Sequence, residues 1–258
     1  MFSFEVRDMQ AGDEYFVGTC SHVSESAEID ACSQRRLARF RSLYDKGLRI
    51  KVALVEGQPA AFLYVLPIEV SPWGPLGHDL MTIPCLYVPK KVGGQGVGRA
   101  LMAAAEGEVR AQGKKGLVAI AYESDFWFMP AAFFRRCGFS EAARRGGEVI
   151  LWKAFDPQAE PPQFLQPRYS FEPISGKVVV DLFWNTFCQT SDVEAQRVRE
   201  VVQEFGDAVV LREFSADDRE TLLRHQLARA IYINGKEIGW GYEAPKEEIR
   251  KAIARELR

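Results

Sequence analysis

Four glycines fall within six residues at Gly93, Gly94, Gly96 and Gly98. They sit in the run Leu86-Tyr87-Val88-Pro89-Lys90-Lys91-Val92-Gly93-Gly94-Gln95-Gly96-Val97-Gly98-Arg99. Glycine reaches positive φ at little steric cost and lets a ligand approach the main chain closely. β-forming residues precede the run, and a helical pattern from about residue 96 to 112 follows it, with Val97, Leu101, Ala104 and Ala105 at 3.6-residue spacing. The N–H groups of such a strand-to-helix turn converge with the helix dipole behind them, which suits a diphosphate. A plain tight turn uses the same glycines, so residue types alone leave both readings open. No Lys-Ser or Lys-Thr follows the last glycine, which excludes a Walker loop, and the G-G-x-G-x-G spacing is a poor dinucleotide fingerprint.

Other chemistry is thinly represented. The five cysteines are scattered with no C-x-x-C pair, and His22, His78 and His225 show no paired spacing. Neither a disulfide framework nor a metal site is expected. Cys20-x-His22 with Glu25 lacks a third partner at ligand spacing, and the cluster Arg35, Arg36, Arg39 and Arg41 reads as a solvated helix face.

These groups ride on an ordinary globular chain of 258 residues with 47% hydrophobic and 26% charged residues, which excludes disordered, collagenous and coiled-coil classes. A net charge of −2 gives no global basic field, so no nucleic-acid partner is expected. No apolar run reaches the ~18 residues of a membrane span and the start lacks a signal-peptide core, so a cytoplasmic protein without a membrane partner is expected.

The fold class expected is α/β with a mixed sheet. On the N-terminal side the pattern predicts a short strand at 4–7, helical stretches near 13–18 and 27–44, a hairpin over residues 50–55 and 60–66, strands at 80–88, 117–121 and 149–155, and a short helix at 131–137. Pro157, Pro161, Pro162, Pro167 and Pro173 mark residues 156–174 as a semi-stiff surface connector. Residues 175–258 then read β-α-β-α-β-β-α, with an Asn234-Gly235 hairpin turn and Pro245 in the first turn of the last helix.

The glycine segment resembles motif A of the GNAT superfamily of N-acetyltransferases. Leu86-x-Val88 matches its strand, Gly96 and Gly98 fill its two small positions, and Gly93 stands where the family prefers Gln or Arg. Ala132-Phe133-Phe134-Arg135-Arg136-Cys137-Gly138-Phe139 resembles its late helix ending in Gly-Phe. The resemblance covers about residues 1–155 and implies acetyl-CoA as cosubstrate, without a metal. It places the diphosphate on the amides of Gly93, Gly94, Gln95, Gly96, Val97, Gly98 and Arg99. The pantetheine would lie along Leu86, Tyr87 and Val88, with Phe134 beside the cofactor.

What the resemblance implies chemically is direct acyl transfer to an amine of a small molecule or peptide. An alkyl amine with a pKa of about 10.4 needs a base or a desolvating pocket, and the departing thiolate benefits from an acid. Many relatives carry a tyrosine as that acid where this chain has Phe134, so Tyr122 is the nearest substitute. Glu69 and Glu123 are the candidate bases, although an acidic residue at a strand end reads first as solvated. Phe126-Trp127-Phe128-Met129-Pro130 could wall an acceptor pocket or pack the core. A non-catalytic acyl-CoA sensor is the rival reading, and a homodimer stays open.

The C-terminal order, with Trp184-Asn185-Thr186-Phe187-Cys188 after its first strand, resembles the thioredoxin fold, which sets its reactive cysteine at a helix N-terminus. Cys188 occupies that place as a candidate thiol site, but Ser191 stands where the second cysteine belongs and Arg229 where the cis-proline belongs. A monothiol role and a redox-silent scaffold both follow.

Overall fold

A computed structural model describes residues 3–123, 128–239 and 244–257. The chain is mixed α/β, and its internal contacts divide it into two compact units. The first comprises Met1–Val17 and Phe40–Leu165, the second Gly18–Arg39 and Gln166–Arg258. Helices α1 (Glu14–Gly18) and α2 (Ala27–Tyr44) have residues on both sides of this division. The sequence suggested one cut at the prolines. The contacts instead group residues 18–39 with the C-terminal unit.

In the first unit, β1 (Phe4–Asp8), β2 (Arg49–Val55), β3 (Gln58–Pro67), β4 (Leu80–Tyr87), β5 (Gly116–Tyr122), β6 (Ser140–Arg145) and β7 (Glu148–Ala154) form one sheet in the order β1-β2-β3-β4-β5-β7-β6. Only β4 and β5 pair in parallel; the other pairings are antiparallel. Glu56 and Gly57, with φ of 51° and 77°, supply the left-handed pair that the two-residue β2–β3 turn requires. The parallel step is bridged by α3 (Val97–Ala111), which buries Val97, Leu101, Ala105 and Val109, one per turn, in a core with Leu63, Met81 and Leu117. α4 (Ala131–Arg136) adds Phe134 to that core. β6 was not expected: its Ser-Glu-Ala-Ala-Arg-Arg lacks apolar alternation because it is the sheet edge and largely faces solvent.

The proline-rich stretch is largely exposed, but it is anchored in both units. Its first half completes the first unit, where Gln163 and Leu76 exchange main-chain hydrogen bonds of 2.9 and 2.8 Å and Phe164 is buried beside Ile68, Leu80, Val118 and Ile150. Its second half belongs to the other unit, where the Tyr169 ring stacks on Tyr232 at 3.8 Å. Proline count revealed stiffness, whereas the two aromatic anchors decided where the stretch lies.

In the second unit β8 (Val178–Trp184), β9 (Val209–Ser215), β10 (Ala230–Ile233) and β11 (Lys236–Ile238) form a sheet in the order β11-β10-β8-β9. β8 and β9 are parallel, and β10 is antiparallel to both β8 and β11. α5 (Gln189–Gln203), α6 (Arg219–His225) and α7 (Lys246–Glu256) complete it, with Val198, Val201, Val202, Ile249 and Ile253 in the core. Pro245 caps α7 rather than entering its first turn.

The arginine cluster is not a solvated face. Arg36 is 1% exposed, its Nε donating to Phe187 O at 3.0 Å and its Nη1 to Gly18 O at 2.5 Å. Arg35 forks onto the fully buried Asp192, with Nε 3.0 Å from Oδ2, and Arg39 donates to Asp217 O at 2.8 Å. Arg41 does remain exposed, paired with Glu14. The acceptors lie 18 to 178 residues away in sequence, out of reach of any local pattern.

Candidate active site

The seven-stranded sheet opens at its centre. β4 and β5 pair through Leu80↔Gly116, Met81↔Leu117 and Thr82↔Val118 and no further, leaving residues 83–87 and 119–122 unpaired with one another. A bulge marks the point of divergence. From Leu66↔Thr82 to Tyr64↔Cys85, β3 advances two residues while β4 advances three. The extra residue falls at Ile83 and Pro84, and Pro84 has no N–H to give to a ladder. Pro84 thus marks where the strands part, and the sequence reading passed over it, although a proline inside a β-run was the available signal.

The glycine loop follows directly on the open end of β4. A single 3-10 turn at Lys90–Val92 ends where Gly93 N donates to Lys90 O at 3.1 Å. Gly94 (φ 73°) and Gly96 (φ 88°) are left-handed, and a Cβ on either would meet nothing within 4 Å. Their glycine identity therefore answers to backbone conformation and leaves room above the chain. Gly98 is glycine for packing, since a Cβ there would lie 3.1 Å from the Phe133 ring.

Gly96 caps α3, and the described residues offer no acceptor to the N–H groups of Gly94, Gln95, Gly96, Val97, Gly98 or Arg99. Unlike these, Gly93 has its N–H engaged within the loop, which corrects its expected place among the free donors. Lys90, Lys91 and Arg99 lie exposed around the loop. Convergent free amides, a 15-residue helix and three cations make this end of the sheet a fit for a diphosphate.

The half-buried Leu86 and Val88 pack on the α3 core, while the Tyr87 ring stacks on Phe62 at 5.4 Å. Residue placement departs further from expectation at three points. Phe134 is fully buried, edge-on to Phe133 and Phe139 at 5.4 and 5.6 Å, so it packs the core and does not line a cofactor surface. Glu69 lies at the wrong end. β3 runs antiparallel to β4, so Glu69 sits beside the start of β4, accepting from Asp79 N at 2.7 Å with Lys114 at 3.4 Å. Eight strand residues at about 3.3 Å each separate it from the loop.

Glu123 is near the open end of β5 but fully engaged. Its carboxylate takes Arg135 at 2.8 and 2.5 Å and Arg144 at 2.7 Å, with Glu141 completing the network. Hydrogen bonds first from Arg135 and then from Arg144 hold it down at about 2. A carboxylate that acidic is a poor proton acceptor at neutral pH. Tyr122 does end β5 at the opening, its N–H donating to Met129 O at 3.0 Å and its ring 6.3 Å from Phe128. Of the proposed apolar wall, Phe126 and Trp127 lie outside the described residues, Phe128 is half-buried, Met129 buried and Pro130 exposed.

The sequence model of the acetyltransferase (GNAT) domain matches residues 46–141. That span holds β4, the bulge, the glycine loop, α3 and α4. No curated protein matches the chain. Several solved structures do. PaiA N-acetyltransferase from Thermoplasma acidophilum, in complex with coenzyme A, is 14% identical and aligns over 59% of this chain and 99% of its own, with a TM-score of 0.44. The GNAT family N-acetyltransferase YhbS from Escherichia coli, in complex with CoA, is 20% identical over 60% of this chain and 82% of its own, with a TM-score of 0.42. An acetyltransferase from Streptococcus agalactiae is 13% identical over 59% and 98%, with a TM-score of 0.44.

The second unit is built differently around its own strand-to-helix turn. Cys188 caps α5, its N–H donating to Asn185 Oδ1 at 2.9 Å. Ser191, 1% exposed, accepts from Asn185 N at 2.9 Å, and Asp217 Oδ2 accepts from Thr186 N at 3.0 Å. Arg229 donates to Glu194 Oε2 at 2.6 Å. All five cysteines are free thiols, and burial pushes the Cys32 thiol well above its ordinary range. His22 Nδ1 lies 2.5 Å from Glu25 Oε2 in this unit. Among the described residues no group of three His, Cys, Asp or Glu is placed to hold a metal ion, and no helix is long and apolar enough to cross a membrane.

Proposed function

We propose that the chain is an N-acetyltransferase that moves an acetyl group from acetyl-CoA to an amine by direct attack. The observation that carries this reading is the coincidence of the family match over residues 46–141 with the loop whose amides from Gly94 to Arg99 lack acceptors among the described residues. Those amides would hold the diphosphate, with Lys90, Lys91 and Arg99 adding charge. The unpaired edge of β4 at Leu86, Tyr87 and Val88 would receive the pantetheine arm. Bound acetyl-CoA supplies the activated acyl group as a thioester.

The amine nitrogen forms a bond to the acyl carbon as the carbon–sulfur bond breaks. The electron pair leaves on sulfur, and the proton lost by nitrogen passes to solvent, from which the residue that protonates the thiolate regains its own. A strand amide near Leu86 would steady the charge gathering on the carbonyl oxygen. Tyr122 is the side chain we assign to protonating the thiolate, since Phe134 has no hydroxyl and is buried. Glu123 instead ties α4 and β6 to the end of β5.

For the second unit we propose a thioredoxin-like scaffold without dithiol chemistry. The order β11-β10-β8-β9, with a parallel β8–β9 pair and a helix starting at Cys188, supports the likeness. Ser191 and Arg229 occupy the places that dithiol exchange would need. We assign the protein to the cytoplasm and leave a homodimer to direct measurement.

Titration calorimetry with acetyl-CoA, followed by CoA release against a panel of amines, tests the proposal. Binding plus amine-dependent release is expected. Saturable binding without release would mark a sensor, and absence of binding would end both readings.

A further inference from the structure

α3 covers one face of the diverging strands, where Leu63 and Met81 enter its core. The amine must therefore approach the opening from the other face, and that face is aromatic. Phe62 and Tyr64 on β3 pair with Tyr87 and Cys85 on β4, so all four side chains project on the side away from α3. Tyr87 stacks on Phe62 at 5.4 Å, Phe16 from α1 meets Phe62 edge-on at 5.8 Å, and Tyr64 continues the series to Phe40 at 5.3 Å. Phe62, Tyr64 and Phe40 are buried, whereas Phe16, Cys85 and Tyr87 remain half-exposed at the margin of the opening. Half-exposed Ile120 on β5 follows Val118 by two residues and extends the same face across the gap. Flanking carboxylates are already engaged, Glu14 by Arg41 at 2.8 Å and Glu148, opposite Tyr122 in the ladder, by Arg145 at 2.7 Å.

We propose that the acceptor is an arylalkylamine: a primary amine on a short linker from an aromatic ring, with the ring seated against Phe16 and Tyr87. A flat apolar group completes the offset and edge-on geometry that the existing rings follow, and a polycation would find its carboxylate partners taken. This inference rests on the acetyltransferase reading and narrows its substrate.

Full-length protein with saturating acetyl-CoA is assayed for CoA release with phenethylamine, hexylamine and spermidine. Phenethylamine is expected to give the highest kcat/KM. Phe16→Ala is expected to raise the phenethylamine KM about tenfold, the worth of one lost ring contact with its burial. The acetyl-CoA KM should stay within about twofold, and Phe16→Tyr should restore the wild-type value. Phe16→Leu, which keeps bulk without the ring, serves if the alanine variant does not fold. Release as efficient with spermidine or hexylamine, or an unchanged phenethylamine KM in both ring-deleted variants, would overturn the inference while the transferase reading stands. Failure to bind acetyl-CoA would bring down both.

Discussion

Two strand-to-helix turns, one in each unit, invite the same first reading: a β-strand, a short loop and the N-terminus of a 15-residue helix. What separates them is how their amides are satisfied. In the loop leading to Cys188 the chain supplies its own acceptors, with Asn185 Oδ1, Ser191 Oγ and Asp217 Oδ2 each taking a local N–H. In the loop leading to α3 the amides of Gly94, Gln95 and Gly96 have no acceptor among the described residues, and a Cβ on Gly94 or Gly96 would meet open space. A loop sealed by buried side chains is architecture, and one left open by glycines before a helix start is prepared for an anion.

The sharpest way to break this contrast is to block the open end. Gly96→Asp places a carboxylate where the diphosphate belongs and should weaken acetyl-CoA binding at least about a hundredfold, equivalent to about 2.7 kcal/mol. Gly96→Asn makes the same backbone demand at φ 88° without the charge and should lose clearly less. Calorimetry decides the matter. Equal losses in the two variants would show that conformation, not charge, dominates at this position.

The sealed end should respond in stability alone. Asn185 is fully buried, accepting from Cys188 N and donating to Ala228 O at 3.0 Å. Asn185→Ala leaves both partners unsatisfied and should cost about 2 kcal/mol in urea unfolding. The acetyl-CoA KM should not move. A raised KM would mean that the second unit takes part in cosubstrate binding and is more than a scaffold.

How much of this was legible depends on how local the signal is. The strand-to-helix turn at the glycines, the α3 stripe and the hairpin over residues 50–66 are carried by neighbouring residues, and each formed as read. Glu69 was misplaced although chain direction held the answer: a residue following β3 must lie at the start of an antiparallel β4. Phe134 fits a motif position, yet whether its ring faces a cofactor or the core is set by Phe133 and Phe139 around it. Arg36 could not be read at all, since its acceptors are main-chain carbonyls of Gly18 and Phe187 that no side-chain pattern announces.

A smaller effect is expected at Glu123, where the open site meets its supports. Its carboxyl is held at about 2 by Arg135 and Arg144, below the ordinary value near 4.3. A depressed pKa contributes stability that is complete above the ordinary range and fades as pH falls toward about 2. Glu123→Gln should therefore shift acid unfolding to higher pH and leave the shape of the kcat/KM profile between about pH 5 and 9 unchanged. A lost acidic limb in that profile, where protonation would silence a general base, would restore Glu123 as the proton acceptor.

The smallest effect belongs to Cys188. Its thiol stands at the cap of α5, but the serine at position 191 is buried on Asn185 N and offers no second thiol for exchange. Cys188→Ser keeps the cap geometry and exchanges one small side chain for another. Acetyl transfer and unfolding midpoint should both match the parent protein, and iodoacetamide should modify the parent thiol at pH 6 no faster than free cysteine. Faster alkylation would make the second unit reactive in its own right. The two helix starts would then differ in the ligand each takes, rather than in whether a ligand is taken.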